Sequence, residues 1–403
     1  MKAIMYGGGN IGRGFIGMLL SQSGYEVSFV DVAEAVVESL NRDHSYPVRI
    51  IDGEKCEDIL VQGVSAVNGR DPEAVAEAIA TADLMATAVG VNVLKFIIPN
   101  IVAGLRYRKE RGLGPLNIII CENLMDANKV IEGMLKEQMN DEEKAWFDEN
   151  VGLVEASIGR MVPVQTEEMK DGNPMRVCVE RYGFLPVDRD GFRGEIPEIR
   201  NMVPFSPFDF YLKRKLYVHN MGHATCAYLG DLLGLEYIYE AIDREEIYVV
   251  VRLAMEESAR ALSKKYGVPL EDILLHVGDL LRRFTNAALK DTCARVGGDP
   301  KRKLSPSDRL IGSSLLAHEM GITPAYIAIG AAAGLRRYLA ENDLAQTEEN
   351  AAEVLETISG LVKDGKEAAL ILTFYRAILE GKTIGEMRRM ADRIEADTQN
   401  GII

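Results

Sequence analysis

Cysteine is scarce and unpatterned in this chain of 403 residues. The five cysteines (Cys56, Cys121, Cys178, Cys226 and Cys293) are odd in number and never form a C-x-x-C pair. That argues against a disulfide framework and a structural zinc site, and for a reducing compartment. Positive charge is short as well: 46 Lys and Arg stand against 61 Asp and Glu, a net charge of −15. A nucleic-acid partner is therefore not expected, because a phosphate backbone selects clustered Lys and Arg. An anionic substrate would need a local basic pocket working against the overall field. No apolar run approaches the length of a membrane span, and Met1-Lys2 leads directly into an apolar run with no signal-peptide pattern. The expectation is a cytoplasmic protein with no membrane partner. A G-x-S-x-G elbow and a G-x-x-x-x-G-K-[ST] loop are also missing, so hydrolase and kinase chemistry lack support.

What is present is a globular composition, 47% hydrophobic and 27% charged, in a chain long enough for two domains. Its first thirty-one residues organise the rest. Lys2 to Tyr6 reads as a buried strand, an apolar helical pattern follows Gly12, and Tyr25 to Asp31 reads as a second strand ending in an acid. Between them, Gly7-Gly8-Gly9-Asn10-Ile11-Gly12 contains the fingerprint G-x-G-x-x-G in its required strand-to-helix context. Gly7 serves the tight turn, Gly9 the close approach of backbone to a pyrophosphate, and Gly12 the packing of helix on strand. The free N–H groups at the helix start then face the pyrophosphate charge. Asp31, nineteen residues after Gly12, is placed to accept from the ribose hydroxyls and to repel a 2′-phosphate, and no Lys or Arg follows until Arg42. The cofactor expected is NAD rather than NADP.

Further along, strand and helix patterns alternate: a helix over 32–42, a hairpin around Asp52-Gly53, and a helix opening at Asp71-Pro72. A buried strand then ends at Gly90, a helix covers 93–108, and another strand over 116–121 ends in Glu122-Asn123. Gly90 is a candidate cofactor contact, since strand ends lie beside the nucleotide in a doubly wound sheet. Residues 151–187 remain strand-like. Beyond the proline-rich connection from Pro197 to Pro207 the periodicity is helical. Helices are expected over 208–229, 245–266, 270–284, 306–319, 325–339, 351–362 and 367–379. The fold class is thus α/β: a Rossmann-like doubly wound sheet over 1–190, then an all-α domain over 191–403. Periodicity of this kind does not report oligomeric state.

The densest polar cluster in the helical half runs from Lys215 to His223. At ~100° per residue, Lys215, Asn220 and His223 fall within an arc of about 140° on one helix. An amine, an amide and an imidazole can therefore face one cleft. Alcohol oxidation needs these groups, a base for the hydroxyl proton and donors for the developing alkoxide, and a desolvated Lys beside other cations can serve as the base near neutral pH. His219 and His223, four apart, could also present two metal ligands, but the second position of H-E-x-x-H is here Asn220 and no third ligand is near. Lys301, Arg302, Lys303 and Arg309 could form a basic patch for a phosphate or carboxylate.

These residues carry a resemblance to the polyol-specific long-chain dehydrogenases, the mannitol dehydrogenase family. It rests on 7–17, His44-Ser45-Tyr46, Thr87 to Gly90, Cys121-Glu122-Asn123, Arg283-Phe284-x-Asn286, Arg302 to Leu304 and Asp308 to Ile311. The signature K-x-x-x-x-N-x-x-H is met by Lys215, Asn220 and His223. The resemblance implies a metal-independent enzyme with Lys215 as general acid/base. It makes Asn220 and Asn123 amide donors to the reacting oxygen, and gives His223 the orientation of a substrate hydroxyl. It implies a small-molecule polyol or sugar-phosphate partner, with mannitol 1-phosphate and fructose 6-phosphate the leading pair. An unphosphorylated polyol or an aldonate is the alternative, and a non-catalytic NAD sensor a more distant one. Three positions depart from the family pattern: Gly159 replaces an Asp, Phe184-Leu185 a Glu-Trp pair, and Gly298 an Arg before Asp299-Pro300.

Overall fold

The computed structural model describes residues 1–400 apart from Glu54, Met125, Val164 and Asp364. The chain divides into two compact units, Met1–Asp209 and Phe210–Ile403. The boundary lies later than the composition change near residue 190. The reason is a parallel pair between Leu185–Asp188 and Met202–Phe205, which ties the connecting segment to the first unit.

That unit is built on six parallel strands: β1 (Lys2–Tyr6), β2 (Glu26–Asp31), β3 (Val64–Asn68), β4 (Leu84–Thr87), β5 (Leu116–Ile120) and β6 (Val151–Glu155). Their order is β3-β2-β1-β4-β5-β6, the doubly wound arrangement in which strand order reverses beside β1. Alternation along β1 shows how the sheet is sandwiched. Ala3 and Met5 enter one apolar cluster with Phe15, Leu19 and Phe29, while Ile4 and Tyr6 enter another with Met85, Ile98 and Ile101. Strands β4 and β5 are buried at every residue, as expected for strands covered on both faces.

The hairpin expected near Asp52-Gly53 is longer than its apolar core suggested. Ser45–Asp52 pairs antiparallel with Lys55–Gln62 and parallel with Val177–Glu180, forming a separate three-stranded sheet. The expected turn runs into Glu54, which lies outside the described residues. Two helices, Ala127–Glu137 and Asp141–Asn150, complete the crossover between β5 and β6.

The second unit is helical throughout its described elements. Glu245–Tyr266 and Leu270–Phe284 match their expected bounds, because Gly267 ends the first in a left-handed conformation and Pro269 precedes the second. Ala325–Glu341 is buried almost all round, and its first turn is capped from a distance. The Glu257 carboxylate accepts from the backbone N–H groups of Tyr326 (3.0 Å) and Ile327 (2.9 Å). The helix expected from residue 306 begins at Ile311, and a further helix, Ile384–Gln399, follows the last one expected. No helix is long and apolar enough to cross a membrane among the described residues.

Candidate active site

In the first unit the glycine loop is held from several sides. Gly7 has φ +104°, and a β-carbon there would lie 2.5 Å from the Ala88 carbonyl oxygen. A β-carbon at Gly12 would fall on the Gly7 carbonyl oxygen, so both positions require glycine. At Gly9 an added β-carbon would meet no protein atom, and Gly9 and Asn10 are exposed at the tip while Ile11 is half-buried. The loop therefore turns bare backbone outward where a pyrophosphate would lie. Asp31 accepts from Gly8 N–H (2.6 Å) and from Ala33 N–H (2.9 Å), fixing its carboxylate at the end of β2.

Two supports escaped the sequence reading. Arg13, buried, donates to the Gly8 carbonyl (2.7 Å) and the Met175 carbonyl (2.6 Å), bracing the loop from behind. Glu122, also buried, accepts from Val89 N–H (3.0 Å) and Gly90 N–H (2.8 Å), holding Gly90 at φ +89° beyond the end of β4. Asn123 follows at the end of β5 and is exposed. A buried carboxylate facing two backbone donors had no pattern by which to be found.

The helical run expected over 208–229, in the second unit from Phe210 on, is one continuous path in three registers. Asp209–Arg214 is α-helical, Lys215–Asn220 is π-helical, and Met221–Leu232 is α-helical again. The 140° arc expected for a uniform α-helix is thereby corrected. In a π turn the i→i+5 bonding makes the sixth residue, not the fifth, complete the turn. Lys215 and Asn220 therefore stand one turn apart on the same side, and His223, three residues on in α register, extends that column. Wide turns of this kind cluster at functional sites, and the glycine loop opens into another over Gly12–Gly17.

Burial, and then the positive Arg309 nearby, push the Lys215 amine down to about 8. His219 is held neutral, well below its ordinary range, by burial and then by Arg283, His223, His276 and Lys215. The His223 ring stacks on Phe284 (centroids 4.8 Å apart, planes 13°) and sets Nε2 3.3 Å from Asp291 Oδ2. Arg295 Nε donates to Asp291 Oδ1 (2.8 Å). Among the described residues no group of three or more His, Cys, Asp or Glu side chains could hold a metal ion.

The basic patch is only partly assembled as anticipated. Lys301 is exposed. Arg302 pairs with Asp299 (2.7 Å) and Asp308 (3.3 Å), and Arg309 with Asp308 (2.7 Å). Lys303 is buried, donates to the Gly298 carbonyl, and is pushed down to about 8 by burial and then by Arg309 and Arg302. Two of the three sequence departures meet at one ring in the first unit. A β-carbon on Gly159 would lie 3.1 Å from Tyr182 Cε1, and Phe184 packs edge-on against Tyr182 at 6.4 Å.

The sheet order and glycine loop are those of a dinucleotide-binding Rossmann domain, and a separate helical unit carries a desolvated lysine. Together they define a two-domain oxidoreductase. Residues 1–201 match the mannitol dehydrogenase Rossmann domain and residues 208–372 the mannitol dehydrogenase C-terminal domain. The chain belongs to the mannitol dehydrogenase family. It is similar in structure to a D-sorbitol dehydrogenase solved in substrate-free form (TM-score 0.80, 16% identity, 96% of this chain and 94% of that one). It is also similar to the Pseudomonas fluorescens mannitol 2-dehydrogenase, solved with NAD and D-mannitol (TM-score 0.74, 13% identity, 97% and 94%). At these identities the likeness is one of fold.

Proposed function

We propose that this protein is an NAD-dependent, metal-independent dehydrogenase that interconverts a polyol and its ketose, mannitol 1-phosphate and fructose 6-phosphate being the leading pair. The observation that carries this reading is the Lys215 column. It has an amine brought down to about 8, an amide one π turn along, and an imidazole one α turn further. In oxidation, neutral Lys215 takes the proton of the reacting hydroxyl at Nζ, Asn220 donates to the oxygen as charge develops, and His223 orients a neighbouring hydroxyl. NAD, when bound, would supply the hydride acceptor for the carbinol carbon, and its reduced form the hydride donor for the ketose. Reduction then draws its proton from the Lys215 ammonium. The cofactor's place is supported by the bare backbone at Gly9 and the fixed Asp31 carboxylate, which favour a free 2′-hydroxyl.

The phosphate is supported by Arg302 and Lys303 on the short helix Pro300–Lys303 and Arg309 in the turn that follows it, gathered despite the chain's net negative charge. A second reading, the same chemistry on an unphosphorylated polyol, draws on the two similar structures. Both are of enzymes named for free polyols. Following NADH absorbance with fructose 6-phosphate, fructose, fructuronate and tagaturonate separates them. Reduction of fructose 6-phosphate alone is expected, and turnover of fructose with no response to the phosphate would move the substrate to the free sugar. Lys215→Ala is expected to lower kcat by at least about 100-fold while NADH still binds. Loss of NADH binding in that variant would remove Lys215 from the proton-transfer role.

A further inference from the structure

His223 is gripped on two sides by residues that the reaction does not itself require. Phe284 lies flat against its ring, so the imidazole can rotate only by losing that stacking. Nε2 faces Asp291 Oδ2 at 3.3 Å, aligned short of a full hydrogen bond, as catalytic contacts without substrate often are. Asp291 is itself fixed. Its other oxygen takes Arg295 Nε at 2.8 Å, and its main-chain carbonyl accepts from Ile238 N–H at 2.9 Å. The carboxyl is nearly buried, with 10% of its side chain exposed. Burial alone would raise its pKa, yet His223 and Arg295 outweigh that and hold it below the ordinary carboxylate range.

We propose that Asp291 is a positioning residue that fixes His223 in the tautomer carrying its proton on Nε2, leaving Nδ1 as a lone-pair acceptor for a substrate hydroxyl. A carboxylate that accepts from one ring nitrogen decides which nitrogen is left to accept. Arg295 completes the chain Arg295–Asp291–His223 and, together with His223, keeps Asp291 charged. The charged and titratable groups around this imidazole are His219 on its own helical run, Asp291 and Arg295 on the facing loop and helix, and Arg283 beside Phe284. His276, Arg283 and Lys215 reach it through the neighbouring His219. The carboxylate that faces the ring among these described residues is Asp291, so the proton preference is assigned to it.

The inference rests on the reaction proposed above for its kinetic arm, and a second arm is independent of substrate. With the full chain labelled with 15N-histidine, the His223 signals, assigned by their loss in His223→Ala, are expected to show the Nε2–H tautomer in the neutral ring. In Asp291→Ala that preference is expected to weaken, with a larger share of the ring carrying its proton on Nδ1. A His223 ring carrying its proton on Nδ1 in the unaltered protein would overturn the proposal, whatever substrate is used. Kinetically, Asp291→Ala is expected to lower kcat for ketose reduction about 10- to 100-fold with NADH affinity unchanged. Asp291→Asn, which keeps the shape, serves if the Ala variant folds poorly. The double variant His223→Ala/Asp291→Ala is expected to be no slower than His223→Ala alone, because Asp291 acts through that ring. Losses that multiply would mean Asp291 supports the fold and not the imidazole. If no ketose is reduced by the unaltered protein, the reaction assignment fails while the tautomer measurement still decides the role of Asp291.

Discussion

At the scale of single residues, the proposed reaction turns on how far Lys215 is driven from an ordinary lysine. Its amine, brought down to about 8 by burial and then by Arg309, is protonated below that value and neutral above it. Oxidation needs the neutral form, so polyol oxidation is expected to rise with pH through a midpoint near 8 and level off above. Ketose reduction needs the ammonium and is expected to fall through the same midpoint. Arg309→Met removes a positive neighbour and makes the ammonium easier to keep. The midpoint should then move upward, by less than about one unit, as read from kcat against pH in both directions. A midpoint unmoved or lowered would show that Arg309 does not act on this amine. At the residue scale a type and a spacing were enough to single out Lys215, Asn220, His223, Asp31 and the glycines, whose roles are those proposed above. They could not reach Asp291 or Glu122, whose importance comes from chain segments that only folding brings against His223 and Gly90.

At the scale of elements, a buried carboxylate stands in for a local helix cap. Ala325–Glu341 begins after Pro324 with no side-chain cap of its own, and Glu257 on Glu245–Tyr266 satisfies two of its first N–H groups. Glu257→Ala would leave both donors buried and unpartnered, and is expected to cost about 2–4 kcal/mol in denaturant unfolding. A change within about 0.5 kcal/mol would mean that the helix start is satisfied in some other way. Burial outweighs these hydrogen bonds and pushes the Glu257 carboxyl up to about 8, above its ordinary value of 4.5. Its contribution to stability is therefore complete below about 4.5 and declines as pH rises from there through about 8. Elements with strong apolar periodicity were legible nearly to the residue, Glu245–Tyr266 and Leu270–Phe284 among them. Those missed were polar on most faces: Ile384–Gln399 buries Ile384, Met387 and Ala391, and the crossover helix Asp141–Asn150 buries only Phe147. A signal for both existed in their capping boxes, Thr383 with Glu386 and Asn140 with Glu143. The π turn had none, since intrinsic propensities describe α-helix and do not separate the two registers.

At the scale of the whole molecule, the residues proposed for cofactor binding and those proposed for proton transfer belong to different folding units. The glycine loop, Asp31 and Glu122 all belong to Met1–Asp209, and the Lys215 column to Phe210–Ile403. Ligand binding stabilises the unit that holds the ligand. NADH at a hundred times its Kd is expected to stabilise the first unit by about 2.7 kcal/mol, which at roughly 2–4 °C per kcal/mol for a unit of this size raises its Tm by about 5–10 °C. Calorimetry read together with amide exchange at Gly7 to Arg13, Val89 and Gly90 checks both the size of the shift and its location. Slowed exchange confined to the second unit would take the cofactor away from the glycine loop.

The π turn at Lys215–Asn220 has a consequence for how this site tolerates inheritance. Side chains inside the turn can vary as long as they fill the same volume, because the turn is set by the number of residues it holds. A change in that number is a different matter: one residue fewer restores the tighter winding with amine and amide four apart and still on one side, whereas one residue more rotates them apart by roughly 100°. The spacing is thus a letter of the proposed site in its own right, one that point mutation cannot rewrite and a three-nucleotide insertion can.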